Sequence, residues 1–584
     1  MFKKTKIICT MGPSTDKPGV IEQLLTEGMN IARFNFSHGS HPEQERRIAM
    51  VREASAKTKI PVALLLDTKG PEMRLGLFKN GKETLEAGQK FIVTARDVEG
   101  TKEMASVNHK RLPQEVKPGL PLLLNDGMIT LTIESIEGDD IITTVKNTGV
   151  ISDRKRVAAP GVSISLPPLS EQDVKDLQFG IKMDMDFVAA SFIQRPSDVL
   201  AIKKVLEDAG AHLDIISKIE NAEGVKNMDE ILKVSDGIMV ARGDLGVEIP
   251  TEEVPMVQKM IIKKCNAAGK PVITATQMLE SMLSNPRPTR AEASDIANAI
   301  LDGSDAIMLS GETASGQYPL EAVRTMATIA TRTETSIHYS DILAANAVSP
   351  QKTTTDAISH ASVQVAYDLS AAVIITSTYG GYTARMVSKY RPQAAIVAAT
   401  PSEKALRRML ILWGVLPILG PSSTNTDELA QNAISASLDA GFVKNGDLLV
   451  FTAGVPLGKS GTTNMIRVYV VGDALLKGSG IGHTSATGKV CIVKSLRDIE
   501  TKFKPGDILV ISGVDEETAV YAANAAAIIA EEGGFTSQAA IVGISYGIPV
   551  LIGVEGATEK LTDGTVVTVD PARGAVYQGE INAR

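Results

Sequence analysis

The sequence predicts an α/β protein: a (β/α)8 barrel carrying an inserted small β-domain, then an open α/β domain, then an extra C-terminal mixed α/β module. Three observations predict it. Eight short apolar runs end in small or polar residues, and most are followed by a segment of helical length. One interval between consecutive runs is several times longer than any other. The strand and helix alternation restarts after Thr335 and again near the C-terminus.

The eight runs are KIICTMG from Lys6, NIARFNFS from Asn30, PVALLLDT from Pro61, DFVAASF from Asp186, DIISKIE from Asp214, GIMVARGD from Gly237, PVITATQ from Pro271 and AIMLSGET from Ala306. Near-continuous Val, Ile, Leu and Ala is what a strand buried on both faces requires, and alternation with helices selects a parallel sheet. Eight such units close into a barrel whose site lies at the C-terminal strand ends. The runs place this barrel over 1–69 and 168–340.

The long interval separates Asp67 from Asp186. Its alternating segments MITLTIESI and DIITTVKN, with many Gly and Pro, predict a small β-domain over 70–167. Hung on the third βα connection, it overhangs the barrel mouth as a lid. AAVIITSTYGG, AAIVAAT, DLLVFTAG and MIRVYVVG predict the open α/β domain over 341–473. KGSGIGHTSATGK from Lys477 reads as a flexible linker. KVCIVKS, DILVISGV, AAIVG and GTVVTVD are the apolar segments of the last module, 474–584.

Composition agrees with this size and excludes several functions. A chain of 584 residues carries about four domains at roughly 150 residues each. Hydrophobic residues make up 43% and charged residues 22%, enough apolar surface for large cores and against disorder. The net charge of −8 lacks the basic footprint of a nucleic-acid binder. Cys9, Cys265 and Cys491 are scattered, with no CxxC spacing, which excludes a disulfide framework and the common zinc sites. The apolar stretch after the N-terminal lysines is too short for a signal-peptide core, and no run spans a bilayer. A cytoplasmic protein with no membrane or nucleic-acid partner is expected.

The strand ends carry the chemistry. Lys218 and Glu220 lie two apart on the fifth run, so both side chains point the same way. Asp244 follows Glu220 by 24 residues, close to one βα repeat, and should stand beside it. Two carboxylates on adjacent strand ends suit a hard divalent cation, Mg2+ or Mn2+; the alternative is a surface ion pair contributing ~0 to 1 kcal/mol. Gly243 permits close backbone approach to a carboxylate or phosphate, and Thr276 adds a hydroxyl, or else caps a helix.

On the second run Arg33, Asn35 and Ser37 alternate with Phe34 and Phe36, a polar row at a strand end. Asp67 and Thr68 close the third run, followed by Lys69, Glu72 and Arg74. Their oxygens suit a monovalent cation and the arginine forks suit phosphate; the alternative is hinge scaffolding with capping by Asn35 and Ser37. His38 and His41 lack a third nitrogen or sulfur ligand nearby, so no metal is assigned to them. PLGKSGT near Lys459 is not a phosphate loop, because Ala453 stands where Gly is required and MIRVYVV reads as strand. GSGIG fails the dinucleotide fingerprint because His483 occupies the last Gly position.

NIARFNFSHG, LLLDTKGPEMR, ISKIEN, MVARGDLGVE and ATQMLESM resemble the pyruvate kinase family over roughly residues 1–473. The resemblance implies a barrel, a lid and a regulatory domain, and transfer of phosphate from phosphoenolpyruvate to ADP. It implies that Lys218 meets the phosphoryl group, that Glu220 and Asp244 bind Mg2+ or Mn2+, and that Arg33 holds phosphate. Gly243 would bind the substrate carboxylate, and Thr276 would assist enolate protonation. Asn35, Ser37, Asp67 and Thr68 match the K+ site; Asn35, Arg74 and Lys155 match nucleotide contacts. Glu72 in GPEMR resembles the K+-dependent members. Around Lys155 the sequence departs from the family, with Arg156 and Ala158 where Gly and Asn are expected.

STYGGYTAR and the loop from Gly458 resemble the family's effector-phosphate pocket, implicating Thr378, Gly381, Thr383, Lys459, Ser460 and Gly461. Bacterial relatives are activated by sugar phosphates or AMP, and members are usually homotetramers. GGFTSQAAIVGISYGIPVLIG is similar to the swivelling phosphohistidine domain of phosphoenolpyruvate-utilising enzymes, where histidine follows Thr-Ser. Gln538 stands there, and an amide cannot accept a phosphoryl group, so a structural or regulatory module is expected. Two other readings stand beside the kinase: a metal-dependent pyruvate-enolate lyase and a non-catalytic sugar-phosphate sensor.

Overall fold

The computed structural model describes residues 2–347, 353–423, 425–456, 461–472 and 474–580. Its contacts divide the chain into two units, Met1–His338 with Lys404–Val415, and Tyr339–Glu403 with Leu416–Arg584.

Eight strands of the first unit close a barrel: β1 (Lys6–Thr10), β2 (Ile31–Asn35), β3 (Ala63–Asp67), β4 (Phe187–Ala190), β5 (Asp214–Ile219), β6 (Gly237–Ala241), β7 (Val272–Ala275) and β8 (Ala306–Leu309). All neighbours are parallel, and β1 closes the ring on β8 with Lys6 opposite Ala306. Apart from Asn35 and Asp214 at strand ends, every strand residue is buried, which is why the runs read as continuous apolar sequence. Ile7, Cys9, Ala32, Phe34, Leu64 and Leu66 join the core that the surrounding helices cover. The intervening positions, including Arg33, Asp67 and Lys218, fall on the inner face by the period of two. The helices start where their caps dictate: Glu292 accepts from Thr289 N at 2.7 Å, and Thr289 Oγ1 accepts from Glu292 N at 3.2 Å, opening Arg290–Leu301.

Between β3 and β4 the chain leaves the barrel, yet Leu65 and Phe187 pair directly across the excursion. The excursion forms a six-stranded sheet and a separate two-stranded one. Strands Ile129–Glu137 and Asp140–Val145, the two alternating segments of the sequence, make a hairpin closed by Glu137 opposite Asp140. Phe91, Leu122, Leu131 and Ile141 fill its own core. Arg74 on the way out and Arg156 on the way back form an antiparallel bridge, tying the two connections together.

The second unit holds two sheets. The five-stranded sheet runs Val415–Leu419, Ala395–Thr400, Val373–Ser377, Leu448–Gly454 and Thr463–Val470, the last antiparallel to its neighbour. An eight-stranded sheet of the C-terminal module has apolar clusters on both faces, one around Leu509 and Ile528 and one around Val510 and Ile529.

The structure corrects one expectation, the linker, and adds two placements. The segment Lys404–Val415, inside the span read as the open α/β domain, groups with the first unit. There Arg407 donates to Asp186 at 2.9 Å and Arg408 to Asp214 at 2.7 Å, at the starts of β4 and β5. The Gly-rich stretch from Lys477 is not a linker: Ser479–Ile481 pairs with Val550–Ile552 as a sheet edge. A Cβ on Gly480 would fall 1.7 Å from Pro571 O, so this glycine marks close packing of backbones. AAIVG is helical, within Gln538–Tyr546, because Ser537 caps the turn by accepting from Ala540 N at 3.3 Å. A strand, Ala527–Ala530, precedes it. Among the described residues no helix is long and apolar enough to cross a membrane.

Candidate active site

The C-terminal strand ends and the outgoing connection to the inserted domain line a cavity of about 320 Å3. Arg33, Asn35 and Ser37 line it from β2 and its loop, and Asp67, Glu72 and Arg74 from β3 and the outgoing connection. Lys218 and Glu220 enter from β5, and Asp244 from the first turn of helix Arg242–Glu248 after β6.

Lys218 is the centre of the charge array. Its Nζ lies 3.0 Å from Asp67 Oδ1, 3.0 Å from Glu220 Oε1 and 2.7 Å from Ser191 Oγ, and the side chain is 10% exposed. Arg33 donates to Asp67 Oδ2 at 2.6 Å and to Thr10 Oγ1 at 2.9 Å, so one buried carboxylate is held between two cations. Burial opposes ionisation of Asp67, but Arg33 and Lys218 outweigh it and hold the carboxyl below its ordinary range. Burial likewise works against the Lys218 ammonium, and Asp67 and Glu220 reverse it, raising the group above the usual lysine range. Glu220 is pushed up to about 7, by burial first and by nearby Asp244, against Lys218 and the Phe192 amide. Its Oε2 accepts from Phe192 N at 2.5 Å, while its buried Oε1 meets Lys218 without hydrogen-bond geometry.

The second cluster is one peptide away. Gly243 N donates to Thr276 Oγ1 at 2.7 Å, and that hydroxyl donates to Ala275 O at 2.6 Å. Thr276 has φ +69°, a left-handed conformation that a β-branched residue resists. Arg242 holds it there, donating to Thr276 O at 2.7 Å and to Asp295 at 2.7 Å. Asp244 pairs with Arg156 from the returning lid connection.

Comparison with known proteins gives the same reading along the whole chain. The pyruvate kinase barrel-domain model matches residues 2–323. The chain belongs to the pyruvate kinase family. The family's α/β-domain model matches 356–469, and the mobile-domain model of phosphoenolpyruvate-utilising enzymes matches 503–574. A pyruvate kinase from Geobacillus stearothermophilus is 52% identical over 582 residues, 99% of each chain, and one from Bacillus licheniformis is 51% identical over 581 residues, 99% of each. A crystal structure of a pyruvate kinase from Cryptosporidium parvum superposes with TM-score 0.77 at 40% identity, covering 80% of this chain and 96% of that one.

Within this family frame, the cavity collects most of the expected residues but not all. Thr68 Oγ1 accepts from Ser191 N at 3.2 Å and does not line the cavity. Lys155 does not line it either; its carbonyl accepts from Leu75 N at 2.9 Å. Gly243 and Thr276 lie beyond the lining. His41 pairs with Asp176 at 2.6 Å and stacks on Phe179. Sequence reasoning missed Ser191, whose signal was a lone hydroxyl at the end of an Ala-rich strand. It also missed Phe192, at φ +56°, whose amide orients Glu220. Arg156 was noticed only as a departure.

A second cavity of about 470 Å3 lies in the second unit. Thr378, Thr383 and Gly461 line it, and Gly381 N donates to Thr378 Oγ1 at 3.0 Å beside it. Thr383 and Thr463 hydroxyls are 2.8 Å apart. Lys459 and Ser460 lie outside the described residues.

Proposed function

We propose that the cavity around Lys218 transfers the phosphoryl group of phosphoenolpyruvate to ADP, giving pyruvate and ATP. The observation that carries this reading is a buried ammonium between two carboxylates at a barrel mouth that also presents Arg33 and Arg74. The phosphorus–oxygen bond of the enol ester breaks as a bond to the terminal ADP oxygen forms, and the released enolate takes a proton on carbon. Such a transfer needs positioning and charge stabilisation more than covalent catalysis.

Arg33 holds the phosphate of the incoming substrate, and Lys218 follows the phosphoryl oxygens from one partner to the other. Gly243 lets the substrate carboxylate approach the backbone closely, and Thr276 Oγ1 directs a proton, through water, to the enolate carbon. Asn35, Arg74 and Lys155 contact the nucleotide phosphates. Glu220 and Asp244 hold Mg2+ or Mn2+. The fit rests on the buried Glu220 Oε1, which has no hydrogen bond, and on an all-carboxylate donor pair that leaves room for substrate oxygens. Among the described residues no larger cluster of His, Cys, Asp and Glu side chains offers an alternative metal site. When bound, the divalent cation supplies Lewis-acid polarisation of the phosphoryl and enolate oxygens. Asn35, Ser37, Asp67 and Thr68 hold K+, an oxygen donor set beside Glu72, which Arg74 pairs.

The pocket lined by Thr378, Thr383 and Gly461, with Gly381 beside it, takes a phosphorylated allosteric effector; its hydroxyl donors support this, and the assignment of Lys459 and Ser460 to the same effector rests on the sequence alone. We further read the chain as a cytoplasmic homotetramer. Phosphorus NMR of the enzyme with phosphoenolpyruvate, ADP, Mg2+ and K+ tests the reaction directly. The substrate resonance is expected to be replaced by those of ATP; inorganic phosphate alone, or no change, overturns the reading.

A further inference from the structure

Arg156 stands where the lid's returning connection meets the barrel. Its backbone bridges Arg74, and its carbonyl accepts from Asn125 N at 3.0 Å. Its residue exposure is only 7%. A buried guanidinium needs partners, and this one spans two carboxylates a helical turn apart: it pairs with Asp244 and lies 3.4 Å from Glu248 Oε1. Underneath, the Phe192 ring centroid is 4.9 Å from the guanidinium carbon. The Phe192 amide is the group that orients Glu220.

Under the proposed function Asp244 is a ligand for a divalent cation, yet here an internal cation satisfies it. Arg156 lines a neighbouring cavity of about 370 Å3, which shares Glu72 and Phe192 with the reaction cavity. We propose that Arg156 is an interlock between lid and metal site: it latches the lid's return strand to the barrel through Asp244, and it must yield that carboxylate to the divalent cation, keeping Glu248 as its partner. The proposal rests on the assignment of Asp244 as a metal ligand. It makes metal affinity and the tightness of the lid connection opposing properties of one side chain.

Mn2+ affinity without substrates, measured by calorimetry on the full-length wild type, Arg156→Gln, Arg156→Lys and Asp244→Asn, tests it. Arg156→Gln is expected to bind Mn2+ about tenfold more tightly, the scale of a lost charge-assisted contact. Arg156→Lys keeps the buried charge without the fork and is expected to fall between the two, which guards against misreading a folding defect. Amide exchange at Val157 and Ala158 is expected to be faster in metal-free Arg156→Gln than in wild type. Equal or weaker Mn2+ binding by Arg156→Gln, or unchanged exchange, overturns the interlock. If Asp244→Asn binds Mn2+ as wild type does, the metal assignment itself fails, a result distinct from the former.

Discussion

Lys218 Nζ lies 3.0 Å from Asp67 Oδ1, joining β5 to β3 across 151 residues of sequence. Asp67 is 1% exposed and is the only carboxylate in this structure paired with both Arg33 and Lys218 among the described residues. It therefore fixes where the Arg33 guanidinium and the Lys218 ammonium stand, the preorganisation that the proposed phosphoryl transfer requires.

Replacing that carboxylate should be costly. Asp67→Asn leaves Arg33 and Lys218 buried with less than their counter-charge, and is expected to destabilise the fold by about 3–5 kcal/mol. Urea unfolding followed by circular dichroism measures this. A loss below about 1 kcal/mol would put the pair in the class of exposed, weak salt bridges.

Gly243 offers a way to separate substrate binding from stability. A Cβ there would meet Thr276 Oγ1 at 3.4 Å and Thr276 Cβ at 3.6 Å, ordinary contact distances. Gly243→Ala should therefore fold with a melting temperature within a few degrees of wild type. It should raise KM for phosphoenolpyruvate, because the added methyl hinders the close backbone approach assigned to the substrate carboxylate. A melting temperature lowered by more than ~8 °C, or an unchanged KM, would count against this role.

The pH dependence of stability has a readable source in β1. Lys6 is 2% exposed and donates to Val415 O at 2.6 Å. Burial first, then repulsion from Lys3, pulls its pKa from 10.5 down to about 7. The folded-state value lies below the unfolded one, so between those values the unfolded chain binds more protons and stability rises with pH, by about 1.4 kcal/mol per pH unit. Unfolding free energies at pH 7, 8 and 9 should thus move in favour of wild type over Lys6→Met as pH rises. A constant difference would show that Lys6 does not titrate there.

The C-terminal module should carry no phosphate. Gln538 opens helix Gln538–Tyr546 at the position where the related domain has its histidine, and its amide is not a nucleophile. Incubation with phosphorus-32-labelled phosphoenolpyruvate followed by proteolysis should leave residues 474–584 unlabelled. Acid-labile label on that fragment would give the module chemistry of its own.

The barrel was legible because burial on both faces writes each strand as an unbroken apolar run; the eight runs contain the eight observed strands. Lys218 and Glu220 were legible because a period of two is rigid enough to set their side chains together. Arg156 with Asp244 was not legible: the pair spans 88 residues, and no local pattern encodes it. Ser191 and Phe192 were hidden for a related reason, since their roles come from a strand-end hydroxyl and a left-handed backbone that mean something only beside Lys218 and Glu220. In the module, Gly480 misled because glycine marks both flexibility and close backbone approach, and only the contact with Pro571 distinguishes them.

The most direct test is pyruvate formation from phosphoenolpyruvate and ADP with Mg2+ and K+, comparing wild type with Lys218→Met. Wild type should turn over, and Lys218→Met should fall in kcat by about 10²–10³-fold while KM for phosphoenolpyruvate changes little. Wild-type turnover that survives undiminished in Lys218→Met, or its absence in wild type with sugar phosphates and AMP also supplied, would contradict the assignment of this ammonium to phosphoryl transfer.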